Sequence, residues 1–173
     1  NRLKNGEKVP VYPADKWCYD DNNCDENAFH GWVFQDSDAY KWLEAASYSL
    51  QRKYDSGLKE KSCELIDIIC SAQMENGYLD TLYIINDRDK AFSNLRDFHE
   101  LYCFGHLAEA GVAFYQATGN KKLLCAAMKF ADLICEVFGE NGKPGYGGHE
   151  IAELGMIKLY ELTNDEKYLK AAQ

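Results

Sequence analysis

No apolar run in this 173-residue chain approaches the roughly 18 residues that a membrane-spanning helix needs. Proline is scarce. Pro10 and Pro13 stand near the start, so Pro144 alone can interrupt a helix over the rest of the length. Basic residues are outnumbered, 19 Lys and Arg against 28 Asp and Glu. The resulting net charge of -9 argues against nucleic acid and against an anionic membrane surface as partners. Strand-type alternation of apolar and polar residues is almost absent. Asn1 to Gly6 offer neither an initiator Met nor the apolar core of a signal peptide, so residue 1 is expected to be a trimmed or processed end.

Cysteine, by contrast, is plentiful, with seven residues: Cys18, Cys24, Cys63, Cys70, Cys103, Cys125 and Cys135. Secreted disulfide frameworks usually carry an even number in a shorter, loop-rich chain. Five of the seven fall within helical patterns, where a free thiol behaves as a small hydrophobe. They read as reduced and structural, which favours a cytoplasmic protein. Cys18 and Cys24 lie in an Asn/Asp-rich stretch and are expected to be more exposed. With 46% hydrophobic residues, the chain is long enough for one domain with a substantial core.

Residues 1–34 read as an irregular leader, and 35–173 as a series of helices. The spacing predicts helices over roughly 36–54, 58–74, 95–118, 121–138 and 149–163, with another starting at 165. Two internal offsets tie them together. At 65 residues, Glu44-Ala45 matches Glu109-Ala110, Gln51 matches Gln116, Asp67 matches Asp132, and Ile69-Cys70 matches Ile134-Cys135. Glu75-Asn76-Gly77 matches Glu140-Asn141-Gly142 at the same offset. At 45 residues, Tyr115, Thr118, Lys122, Leu124 and Ala126-Ala127 match Tyr160, Thr163, Lys167, Leu169 and Ala171-Ala172. Repeats of this size in a helical pattern mean stacked helical hairpins.

The two helices of a hairpin differ in kind. Leu123, Ala127, Phe130, Ile134 and Phe138 make one apolar stripe, as on an outer helix. The preceding 95–118 pattern is apolar all round beyond His106, with Glu109 the single charged exception, as on a buried inner helix. The fold expected is therefore all-α, an α/α toroid of helical hairpins. Three inner helices make about half of an (α/α)6 barrel. Parallel inner helices would gather Phe34 to Asp38, Asn94 to His99 and Gly145 to Glu150 at one end, and there a functional face is expected.

The chemistry at that face stays open from residues alone. His99, Cys103 and His106 have helical spacing and zinc-capable side chains, but His-x3-Cys-x2-His is a weak pattern. Packing of Cys103 and His106 inside, with only His99 in the cavity, explains the same residues. N-capping alone accounts for Asp36, Ser37 and Asp38. It does not account for Gln35, whose amide both donates and accepts towards hydroxyls. Gly147-Gly148 lets the backbone bend so that His149 points inward, as a ligand contact or in a local structural role, and Tyr78 is expected near a rim. Trp17, Trp32, Trp42 and several tyrosines could stack on sugar rings, though aromatics are more often core. Glu100, Glu109, Glu150 and Glu153 supply carboxylates, without a spacing that picks an acid and a nucleophile.

Taken as blocks, the residues resemble a known family. The blocks are Phe34-Gln35-Asp36-Ser37-Asp38-Ala39-Tyr40-Lys41-Trp42-Leu43-Glu44-Ala45, Ala72-Gln73 with Gly77-Tyr78-Leu79-Asp80-Thr81, and Asn94-Leu95-Arg96-Asp97. His99-Glu100-Leu101-Tyr102-Cys103 with Gly105-His106-Leu107, Ala117-Thr118-Gly119, Gly145-Tyr146, Gly148-His149 and Glu153-Leu154 complete them. From about residue 29 onward the chain is similar to the β-L-arabinofuranosidase family of glycoside hydrolases. That resemblance implies an (α/α)6 barrel followed by β-sandwich domains. It also implies a retaining hydrolase of terminal β-L-arabinofuranosyl units on carbohydrate of plant origin. The nucleophile it implies is a zinc-bound cysteine, with a glutamate as acid/base, both in motifs that this chain does not match.

No catalytic residue and no metal ligand is therefore assigned within these 173 residues, and zinc is expected only in the full-length enzyme. Gln35, His99 and His149 match positions expected to contact sugar hydroxyls. Met74-Glu75-Asn76 departs from the family's usual Gln-x-Asp before Gly77, and Asp89 to Ser93 lack the usual Arg-Trp. Two other readings stand beside this one. They are a different α/α-barrel sugar enzyme (an unsaturated glucuronyl hydrolase or an epimerase) and a non-catalytic helical-repeat binding module. The open edge of a half-barrel leaves room for a homo-oligomer, and the segment alone is expected to be catalytically silent.

Overall fold

A computed structural model describes residues 31–139 and 142–173. Most of the expected leader, with Trp17, Cys18 and Cys24, and the Glu140-Asn141 member of the repeat lie outside those residues. The helices are α1 (Asp36–Arg52), α2 (Ser56–Ser71), α3 (Thr81–Asn86), α4 (Leu95–Phe98), α5 (Glu100–Thr118), α6 (Lys122–Phe138), α7 (Ile151–Thr163) and α8 (Glu166–Ala171), with a 3-10 turn at Arg88–Lys90. No strand occurs among the described residues.

α5 is the central element, packed against α1, α6 and α7. Leu101, Cys103, Phe104, Leu107, Ala108, Ala110, Val112 and Phe114 are all buried, so its apolar character on every side is used. A Cβ on Gly105 would stand 2.3 Å from the Ile151 carbonyl oxygen, so α5 and α7 meet backbone to backbone there. α6 buries one stripe, Leu123, Leu124, Ala127, Phe130, Ala131 and Ile134, and turns Lys122 and Cys125 outward.

The direction of the inner helices follows from two levels of contact. At one end Phe34, His99 and His149 adjoin in sequence as rings 5.6 and 5.2 Å apart. Nine or ten residues further along each helix, Glu44 and Glu109 meet Lys158. That is about 14 Å of helix, equal on all three. α1, α5 and α7 therefore run parallel, with α2, α6 and α8 returning behind them. This is an α/α toroid fragment of three hairpins.

The offsets read from the sequence are physical repeats. Thr118 donates to the Phe114 carbonyl, accepts from Asn120 N–H, and Asn120 in turn accepts from Lys122 N–H. Thr163, Asp165 and Lys167 repeat each of those bonds. Between these turn residues Gly119 (φ 75°) and Asn164 (φ 55°) both end their helices left-handed. Outer helices are stitched alike: Lys122 to Asp67 at 2.8 Å and Lys167 to Asp132 at 3.0 Å.

Several local expectations change. The 95–118 pattern is two helices, because His99 stands left-handed (φ 61°) between α4 and α5. The zinc-type pattern His99, Cys103, His106 therefore does not form one helical face. α3 was not foreseen, since six residues are too short for a 3.6-residue period to show. Its cap comes from elsewhere: Asp36 accepts from Thr81 N–H (2.8 Å) and from its hydroxyl (2.6 Å). Asp36 thus caps a different helix from the one it opens. Tyr78, expected near a rim, is 2% exposed and lies in the core.

Candidate functional site

The candidate site is the end where the inner helices begin. His99 is brought there by α4, which Asn94 caps by accepting from Asp97 N–H. His149 arrives on the loop before α7, where Gly148 lies against the Arg96 carbonyl, and a Cβ there would come within 2.9 Å of that oxygen. The two imidazoles stand 3.3 Å apart, Nε2 to Nε2. His99 Nδ1 lies 2.8 Å from the Asp97 carbonyl oxygen. A carbonyl only accepts, so Nδ1 of His99 carries a hydrogen, and in the tautomer with that one N–H its Nε2 is the acceptor. His149 Nε2–H then donates to it. The outcome is a pair that offers His149 Nδ1 as a further acceptor, half open to solvent.

Aromatic rings wall this pair. Phe34 stacks on Trp32 with ring centres 5.4 Å apart and tilts against His99. Tyr102 touches His99, His149 and His106 with centres 5.7, 5.1 and 4.7 Å away. The Lys41 ammonium sits 4.9 Å above the Tyr102 ring. Tyr102 and Lys41 were not singled out from the sequence. Tyr102 stands three residues from His99 and four from His106, and that spacing was the available signal.

Gln35 is at the same end, as the residue before α1, and its side chain makes no capping bond. Its amide lies over the Cα of Gly31, where an added Cβ would collide with Oε1, and Gly31 has φ 130°. The structure thus brings His99 and His149 into contact and sets Gln35 next to Phe34, the aromatic neighbour of His99.

The remaining candidates have other partners. Cys103 is fully buried, and burial, then the nearby Asp80 and Asp36, push its thiol well above the ordinary range. A thiol in that state is a poor nucleophile. Glu109 accepts from Lys158 at 2.6 Å, and His106 Nδ1 lies 3.6 Å from its other oxygen. Burial, then Lys41, lowers the His106 pKa, so it is neutral near pH 7. Glu44, His106 and Glu109 are the one grouping of three metal-capable side chains among the described residues, and Lys158 already occupies it with a cation.

Glu100 accepts from Tyr78 hydroxyl (2.5 Å) and Phe92 N–H (2.8 Å), both on Oε1. Burial raises it to about 7. Asp80 is 1% exposed, and burial, then Asp36 and Glu100, raise it well above the usual carboxylate range. No helix of the described residues is long and apolar enough to cross a membrane.

Hairpins in an α/α toroid, with polar and aromatic groups gathered where the inner helices begin, define the class. Within it, the chain belongs to the GH127 β-L-arabinofuranosidase catalytic-domain family, whose model matches residues 2–173. It is 46% identical over 155 residues to a non-reducing end β-L-arabinofuranosidase of Bifidobacterium longum subsp. longum, covering 86% of this chain and 23% of that one. Among solved structures it resembles a GH127 β-L-arabinofuranosidase from Geobacillus stearothermophilus T6, with 44% identity and a TM-score of 0.81. That match covers 99% of this chain and 25% of the other. A GH127 β-arabinofuranosidase aligns at 36% identity and a TM-score of 0.77, over 90% of this chain and 25% of its own. The chain spans about a quarter of the length of these relatives.

Proposed function

We propose that this chain is part of a retaining glycoside hydrolase that removes terminal β-L-arabinofuranosyl residues from plant carbohydrate, and that it supplies one edge of the sugar pocket. The observation that carries the reading is the His99–His149 pair, joined at 3.3 Å and walled by Phe34 and Tyr102. A furanoside presents hydroxyls that both donate and accept, and apolar C–H faces. Imidazoles and an amide answer the first, aromatic rings the second. His149 and His99 are assigned to hold ring hydroxyls, with Gln35 reaching the same sugar from the start of α1. Family membership supports this over a glucuronyl hydrolase, an epimerase or a peptide-binding repeat.

The zinc and its thiolate belong, in this reading, to other parts of the enzyme. The residues described here do not fit it, since Cys103 is buried as a thiol and Glu44, His106 and Glu109 hold Lys158. Cytoplasmic residence is proposed from five free thiols, Cys63, Cys70, Cys103, Cys125 and Cys135.

The test is release of 4-nitrophenol from its β-L-arabinofuranoside by the full-length protein, with NMR of the first-formed sugar to read retention. Turnover with retention is expected, and none from residues 1–173 alone. Absence of turnover by the full-length protein, or inversion, would overturn the reading.

A further inference from the structure

His99 holds a backbone conformation that L-residues rarely adopt, φ 61°. Seven residues earlier Phe92 does the same, φ 59°, although a bulky side chain disfavours it more. Such pairs persist only where surrounding contacts fix them. Here one side chain spans both. Glu100, the residue immediately after His99, turns its carboxylate into the core, where it is fully buried. It accepts from the N–H of Phe92 and from the hydroxyl of Tyr78, closing the stretch from 92 to 100 into a ring.

Each partner is itself anchored. Phe92 lies among Tyr78, Phe130 and Phe138, with ring centres between 5.3 and 6.3 Å. Its carbonyl accepts from Lys143 Nζ at 3.1 Å. The segment carrying His99 is thus fastened at both ends to one carboxylate, which in turn is fastened to the rigid interior.

We propose that Glu100 is a positioning residue for His99, holding the left-handed turn that aims the imidazole at His149. The proposal rests on the reading of His99 as a sugar contact. Glu100 itself faces the core, where Tyr78 and Phe92 are its partners. What it fixes is the direction in which α5 leaves the His99 backbone, and hence where the ring stands. Both bonds end on Oε1, so an amide that keeps that oxygen can accept both.

The experiment uses the full-length enzyme with Glu100→Ala, Glu100→Gln and Tyr78→Phe, each alone and combined with His99→Ala. Activity is read below each variant's melting temperature. Glu100→Ala is expected to lower kcat/KM at least tenfold, mainly through KM, and Glu100→Gln to retain most of it. With His99 already replaced by Ala, Glu100→Ala is expected to have little further effect. An equal loss in both backgrounds would overturn the proposal, because Glu100 would then act independently of His99.

A crystal structure of Glu100→Ala gives a readout that needs no substrate. The His99 ring is expected to have left His149, and an unmoved ring would overturn the proposal whatever the enzyme hydrolyses. If Glu100→Ala does not fold, Tyr78→Phe removes one bond to the carboxylate and carries the same two readouts at smaller size. Failure of the wild-type enzyme to cleave the arabinofuranoside would strike the functional reading instead.

Discussion

His99 and His149, fifty residues apart in sequence, share a hydrogen bond between their Nε2 atoms at 3.3 Å. The bond has a direction. Asp97's carbonyl accepts a hydrogen bond from His99 Nδ1–H, so in the tautomer that leaves His99 Nε2 bare His149 is the donor and His99 the acceptor. Each ring therefore orients the other, and the pair acts as a unit.

From this follows the behaviour of substitutions in the full-length enzyme. His99→Ala and His149→Ala should each lower kcat/KM on a β-L-arabinofuranoside by about 2 kcal/mol, roughly thirtyfold. The double variant should fall well short of the product of the two, because removing one ring already disorients the other. Steady-state kinetics of the four proteins check it, and full additivity would contradict the shared bond.

Glu100 gives the protein a pH-dependent stability of definite sign. Its folded value of about 7 exceeds the ordinary 4.5, so the folded state binds its proton more tightly. The stabilisation is complete below about 4.5 and is lost as pH rises through 7. Relative to Glu100→Gln, which has no charge to bury, wild type should lose about 3 kcal/mol across that window. Urea unfolding of both proteins at pH 4.5 and 8 reads the difference, and parallel curves would refute it.

Lys158 stands between Glu44 (3.8 Å) and Glu109 (2.6 Å), the two members of one repeat match. Lys158→Met should destabilise by about 1–3 kcal/mol, since it leaves buried Glu109 facing Glu44 without a cation. Adding Glu109→Gln should recover part of that loss. Thermal unfolding of the single and double variants decides, and a double variant weaker than both singles would count against the network.

Gly105→Ala should be among the most damaging small changes, because the new methyl would meet the Ile151 backbone. Pushing α7 from α5 is expected to cost about 1–3 kcal/mol and also to weaken sugar binding, since α7 begins next to His149. Unfolding midpoint and KM should move together. A stable variant with unchanged KM would show that the helices have slack.

Much of the fold was legible in the sequence. The stripe on α6, the all-round apolar surface of α5 and the repeated Thr118/Thr163 turns are local patterns, and local patterns survive into the structure as bonds. The histidines of the candidate site were legible by type, and the resemblance to a family singled out His99 and His149. What the sequence could not show was partnership between distant residues. Periodicity ran through His99 as though the helix were unbroken, because a left-handed residue leaves no mark in an apolar pattern. Asp36 read as a cap for its own helix, because a carboxylate in a first turn favours that local use. It instead crosses to Thr81, 45 residues away.

The sequence by itself determined the class of helices, their order and their repeat, since these depend on which residues lie three, four or 65 positions apart. The tertiary structure alone decided that Tyr78 is buried rather than at a rim, that His106 turns to Glu109 while His99 turns to His149, and that Lys158 unites two repeats. Those choices depend on which helix faces lie opposite once three hairpins stack, and that is a property of the packed assembly rather than of any one stretch of chain.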